Sequence, residues 1–287
     1  MEFYLTAILL GLAFCAMGFG IYVSLRIFNI PDITTDGSYT LGAAVTAVLL
    51  SNGIPLPIIL IITIISGALA GTATGLIHTR LKINPLLSGI LVMTSLYSVN
   101  LNIMGRSNIP LINTAHIENI FSFLNSSNLQ WLGVLLLFTI VMWLILSWLL
   151  KTDFGVAMRA TGNSEDMVRA MGVNTQNMKV IGLAIANAFT AVSGFLVCQL
   201  QQFSDINMGI GIVIFGLGAV MMGEALFNVF NARSIALRLI GVVIGCIIFR
   251  MIIAFTLALG VDPNWLKLVT AVIVLLVVGI PNLKKAN

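Results

Sequence analysis

Few side chains in this sequence are suited to chemistry, and the densest group lies between Lys151 and Lys179. Asn163 is of a type favoured at a helix N-cap, Glu165 and Asp166 fall where the helix dipole favours negative charge, and Gly172 suits a helix end. This pattern predicts a helix over 164–171, about 12 Å long. Met167, Val168 and Met171 share its apolar face, while Glu165, Asp166 and Arg169 expose both signs of charge. The chemistry on offer is recognition: a short capped helix with an apolar face fits a groove on a second protein. A helix resting on lipid headgroups would instead want a wholly basic polar face, which Glu165 and Asp166 do not supply.

A second group is scattered through apolar runs. Arg250 falls near the middle of one. Arginine at that depth costs about 2.5–3.5 kcal/mol, so it must face protein or water and meet an acceptor. Asp205 and Glu224 are the nearest acidic candidates, and a pathway residue and a structural ion pair are equally good descriptions. Asn100, Asn187 and Gln199, with Asn102, Thr190, Gln201 and Gln202, add uncharged donors and acceptors. Hydrogen bonds between helices, worth about 0.6 kcal/mol each, account for most of them, leaving some to line a path. Asp36 and Ser38 open another apolar run, where helix capping is favoured over a place on the path. Cys15, Cys198 and Cys246 show no metal-type spacing, and His78 and His116 have no ligand-spaced partner. No metal site is expected, and no enzymatic centre can be assembled from these residues.

The elements that must position these residues follow from composition. Of 287 residues 59% are hydrophobic and only 8% charged, with a mean hydropathy of +1.08. A water-soluble domain carries about 25% charged residues, so a soluble fold is excluded. Apolar runs near 4–26, 38–51, 57–79, 85–105, 130–150, 180–202, 208–226, 236–259 and 264–281 predict an all-α, polytopic membrane helix bundle of eight or nine spans, one domain over 1–287. The run 38–51 is short, about 21 Å as a helix, so it either starts earlier, inside 31–37, or is broken and partly re-entrant. The first run lacks the basic flank and cleavage site of a signal peptide and is expected to remain in the mature protein.

Orientation is set by the basic residues. Arg26, Arg80, Lys82, Lys151, Arg159, Arg169, Lys179, Arg233, Arg238, Lys284 and Lys285 fall on one side, against Arg106 and Lys267 on the other. The positive-inside rule then places the N-terminus outside, the C-terminus in the cytoplasm and 151–179 in a cytoplasmic loop. The net charge of +4 implies no nucleic-acid partner. In the external loop 106–129, Ile117, Ile120, Phe121 and Leu124 have helix-like spacing and predict a short surface helix, a docking element or a lid. Gly67, Gly71 and Gly75 make two G-x-x-x-G steps that let a neighbouring helix approach closely, and Gly241 and Gly245 read the same way. A weak echo relates Asp32-Ile33 with Leu41-Gly42-Ala43 to Asp205-Ile206 with Leu217-Gly218-Ala219, in runs of opposite direction, as in an inverted repeat.

Two stretches resemble a known family. Arg159-Ala160-Thr161-Gly162-Asn163, with Ala170 to Thr175 and Lys179, is similar to the coupling loop of permeases of branched-chain amino-acid-type ABC importers. Asn29 to Ser38, with Leu41-Gly42-Ala43-Ala44, resembles the opening of the second span in the short permeases of tryptophan-type systems. The resemblance implies a permease in a bacterial plasma (inner) membrane that pairs with a second copy or close paralogue. It implies a cytoplasmic ATPase dimer receiving Asn163, Glu165, Asp166, Arg169, Met171 and Gly172, and an external binding protein delivering a small solute, an aromatic or other amino acid. ATP would belong to the partner, since no G-x-x-x-x-G-K-[ST] loop is present: Gly155 to Gly162 has the glycines but Asn163 where lysine is required. An ion-coupled secondary transporter is the alternative, disfavoured because the acids are expected at span ends or in loops.

Overall fold

The structure, a computed structural model, describes residues 2–111, 117, 126–229 and 234–286. In chain order it comprises α1 (Glu2–Ile21), prolonged by a π-helical turn over Tyr22–Ile27; α2 (Thr34–Ser51); α3 (Leu56–Arg80); α4 (Pro85–Met104); β1 (Asn108–Pro110); and α5 (Ser127–Leu149). It continues with α6 (Asp153–Asn163), α7 (Glu165–Ala170), α8 (Thr175–Gln201), β2 (Phe203–Asp205), α9 (Ile212–Val229), α10 (Ile235–Ala258) and α11 (Leu266–Ala286). Each of the nine expected runs falls on one helix. Six helices among the described residues are long and apolar enough to cross a membrane: α1 with its extension, α3, α4, α5, α8 and α10. α9 and α11 carry shorter apolar stretches, 212–227 and 266–277.

The second run takes the first of the two forms expected for it, an earlier start. α2 begins at Thr34, earlier than the apolar run, and continues unbroken for 18 residues, about 27 Å. Asp32 makes that start available: its Oδ1 accepts the Thr34 N–H at 2.9 Å, so a polar segment lies inside the bundle with its first donor satisfied. The surface helix expected on Ile120, Phe121 and Leu124 lies outside the described residues; Ile117 is buried. The β1–β2 ribbon, antiparallel with Asn108 opposite Asp205, carries no period-2 signal long enough to have been read from sequence.

α8 is the axis of packing. Along it α2 runs parallel, with Ser38 against Asn187 and Gly42 against Ala191, while α3 runs antiparallel. A Cβ built at Gly67 would meet Ala191 Cβ at 2.5 Å, at Gly71 the Leu183 carbonyl oxygen at 2.1 Å, and at Gly75 the Val180 Cα at 2.7 Å. The three glycines therefore let α3 and α8 touch backbone to backbone, inside one chain. Gly241 and Gly245 serve the α9–α10 contact likewise, opposite Gly223 and Ala219.

Candidate functional site

Two regions contain the residues singled out above. The first is the surface made by α6 and α7. Thr152 starts α6 by accepting the Gly155 N–H, and Gly155, Met158 and Thr161 turn inward. Gly162 lies against the backbone of Ile27, and Asn29 Nδ2 donates to the Gly162 carbonyl at 3.0 Å, fastening α6 beneath the π-helical turn. Asn163 does not cap the next helix, as expected, but ends α6; Ser164 occupies the cap position, with no side-chain hydrogen bond. The helix signal in 153–163 was masked by its two glycines, which are there for close approach.

α7 is therefore only six residues, about 9 Å, and its polar residues divide in role. Glu165 is bound inward: its carboxylate pairs with the Lys179 ammonium, accepts from Arg169 Nη2 at 2.9 Å and from Thr175 Oγ1 at 3.1 Å. Lys179 holds the Glu165 carboxyl below the usual carboxylate range, chiefly through that hydrogen bond. Val168 is buried, so the expected apolar face splits: Val168 seats α7 on the bundle, while Met167 and Met171 stand 65% and 72% exposed. Asp166 and Arg169 are exposed around them. Gly172, at φ +86°, takes the left-handed conformation that ends the helix. Arg169, Gly172, Val173, Asn174, Thr175 and Gln176 line a hollow of about 300 Å³ beside this peg.

The second region is the junction of α2 and α9. Asp36 was expected to cap its own helix. It lies instead in the first turn of α2 and caps α9: its Oδ2 accepts the Gly211 N–H at 2.9 Å and its Oδ1 the Val213 N–H at 2.8 Å. α9 lies alongside α1 in the same direction, and α1 runs against α8, so α2 and α9 are opposed. The sequence echo has a local counterpart here, because Asp205 Oδ1 accepts the Asn207 N–H at 2.8 Å just as Asp32 accepts that of Thr34. Asp32 and Asp36, expected at a span end, thus lie within the bundle, where Asp36 joins the N-termini of α2 and α9.

The expected path residues separate into those facing space and those behind. Asp36 and Asn100 line one cavity of about 240 Å³, with Thr40, Met93, Thr94, Tyr97, Ile206 and Gly209. Asn100 Nδ2 donates to the Gly37 carbonyl at 3.3 Å, and its buried Oδ1 has no partner among the described residues. Ser38 and Asn187 are fully buried and do not line it. Ser38 Oγ donates to Asn187 Oδ1 at 2.6 Å, and Asn187 Nδ2 donates to Asp32 Oδ2 at 2.7 Å, a polar tie between α8 and α2. Gln199 is buried too, both amide atoms lacking a partner among the described residues. Arg250 meets neither expected acid, because Glu224 pairs with Arg26 and Asp205 accepts from Asn108. Its guanidinium lies 4.6 Å from the centre of the Phe14 ring and 5.7 Å from that of Phe215.

Comparison with known proteins decides the family. The model of the branched-chain amino acid transport system permease component matches residues 3–278. This chain belongs to that permease family. A tyrosine transport system permease protein of Clostridioides difficile is 36% identical to it, over 94% of this chain and 90% of that one. The uncharacterized protein RP368 of Rickettsia prowazekii is 34% identical, over 95% of each. The galactofuranose transporter permease protein YtfT of Escherichia coli is 28% identical, over 86% of this chain and 70% of its own. The permease is accordingly a multi-pass membrane component of an ABC-type transport system, with an amino-acid transport relative.

Proposed function

We propose that this permease conducts an amino acid, an aromatic one foremost, through a bacterial plasma membrane when an ATPase bound at α7 drives it. The solute class rests on the tyrosine permease of Clostridioides difficile. A second copy or a close paralogue would complete the path, an external binding protein would deliver the solute, and ATP would stay on the ATPase. The distribution of basic residues supports an N-terminus outside and a C-terminus in the cytoplasm, with α6 and α7 on the cytoplasmic side.

The observation that carries this reading is the split face of α7. Met167 on α7 and Met171 just past its end stand exposed, four residues apart, on a segment that the Glu165–Lys179 pair holds to α8. Flexible, polarizable methionines suit a helix-in-groove contact. The coupling role therefore falls to Met167, Met171, Asp166 and Arg169 as contacts, with Glu165 and Gly172 shaping the peg and Asn163 fixing its offset. A push on the peg reaches α8 directly, then α2 through the Asn187 tie, then α9 through Asp36. Asp36 and Asn100 lie where that motion would open or close a cavity, with Arg250 across the junction. Replacing both methionines with glutamate is expected to abolish stimulation of the ATPase by the permease while leaving membrane insertion unchanged. Unaltered stimulation in that variant would refute the docking role.

A further inference from the structure

On the other side of Gly211 from the Asp36 cavity lies a second one of about 230 Å³. It is an open hollow lined by residues of α1, α2, α8, α9, α10 and α11 and of the segment before α9, and its walls are of two kinds. Phe14, Tyr39, Phe215 and Ile253 are aromatic or aliphatic and at most 7% exposed. Arg250 and Lys267 bring two cations, and Gln201 and Thr270 bring neutral polar groups. Among the described residues no carboxylate belongs to the lining. The two acids the sequence offered as partners for Arg250 are engaged elsewhere, Glu224 by Arg26 and Asp205 by Asn108 and Asn207. Asp36, nearby, accepts from the N–H groups of Gly211 and Val213 and lies within electrostatic reach of Lys267, so Arg250 is the cation left without a carboxylate.

A guanidinium inside a bundle needs an acceptor. Arg250 Nε is buried with no hydrogen-bond partner among the described residues, and the contact of the guanidinium with the Phe14 and Phe215 rings does not supply one. Cation–π contact offsets less than the cost of placing an arginine at membrane depth. The planar fork of arginine matches a carboxylate in two-point fashion. Lys267, exposed on the same lining, adds a second positive charge, and the aromatic walls offer an apolar side chain the contact area it lacks in water.

We infer that this cavity is a binding site for an apolar carboxylate, held by Arg250 and Lys267 with its apolar group against Phe14, Tyr39 and Phe215. On the reading proposed above the occupant is the amino-acid solute; a fatty acid of the bilayer offers the same chemistry. Gln201 and the Tyr39 hydroxyl supply acceptors suited to an α-ammonium, which a fatty acid does not use.

The test is equilibrium binding to the full-length chain in phosphatidylcholine nanodiscs, with L-tyrosine, L-tyrosinamide, 3-(4-hydroxyphenyl)propionate and octanoate as probes. L-tyrosine is expected to bind, the amide at least tenfold more weakly, and the propionate within a few-fold of tyrosine. Arg250→Gln should lose at least tenfold in tyrosine affinity, Lys267→Gln a few-fold, and Arg250→Lys should recover part of the loss, which also shows that the variants fold. Equal binding of tyrosine and its amide, no binding of any probe, or unchanged affinity in Arg250→Gln would overturn the site. Binding of octanoate but not tyrosine, lost in Arg250→Gln, would keep the carboxylate site and overturn the amino acid as its occupant. None of these readouts involves the ATPase, so failure at α7 and failure here are separable.

Discussion

At the scale of single residues, the permease uses carboxylates as fasteners. Glu165 holds α7 to α8, Asp32 starts α2, and Asp36 starts α9. Because Lys179 lowers the Glu165 pKa in the folded chain, the pair's stabilisation is complete above the unfolded carboxyl value of about 4.3 and is lost as pH falls through the lower folded value. Melting curves should therefore show wild type converging on Glu165→Gln below that pH and exceeding it at neutrality. Removing Asp36 leaves two α9 N–H groups without their acceptor, so Asp36→Ala should lower stability by about 1–2 kcal/mol, read as a shift in the melting midpoint. That Asp36 would cap a helix was legible in the sequence; which helix was not, because Gly211 is distant in the chain and near only in space. Arg250 illustrates the same limit. Its depth could be read from its place in an apolar run, but its aromatic neighbours come from α1 and α9, beyond the reach of any local pattern.

Among the elements, the long apolar helices were easily legible and the short helices α6 and α7 were not. Apolar runs of membrane length leave one solution for the backbone, an α-helix that satisfies its own hydrogen bonds, and each run falls on a helix. α2 was undervalued because Thr34, Thr35, Asp36 and Ser38 are polar, yet Thr34, Thr35 and Ser38 are buried with partners inside the bundle. α6 escaped notice for a related reason: Gly155 and Gly162 look like breakers but allow backbone contact with Leu149 and Ile27. The glycines of α3 can be tested on the same footing. A side chain at position 71 would strike the Leu183 carbonyl, so the helices must part, and Gly71→Leu should cost about 1–3 kcal/mol or more, visible as lowered yield of folded protein and a lower denaturation midpoint. Gly53→Ala is the control, since nothing lies within 4 Å of a Cβ there and its only burden is φ +72°.

On the scale of the whole molecule, the peg and the cavities are joined by one continuous path of packed groups. α7 is held to α8 by Glu165 and Lys179, α8 to α2 by Asn187, Ser38 and Asp32, and α2 to α9 by Asp36. A mutation in the middle of such a path, touching neither partner nor solute, should modulate coupling by about 0.5–2 kcal/mol. Asn187→Ala is accordingly expected to leave ATPase co-purification intact while lowering ATP-driven uptake into proteoliposomes by about two- to thirtyfold. The central claim is that the two exposed methionines of this permease enter a groove on an ATPase. Site-specific photo-crosslinking from position 171 in intact cells tests it most directly. A covalent adduct with the ATPase subunit is predicted, and labelling of phospholipid alone would contradict the account.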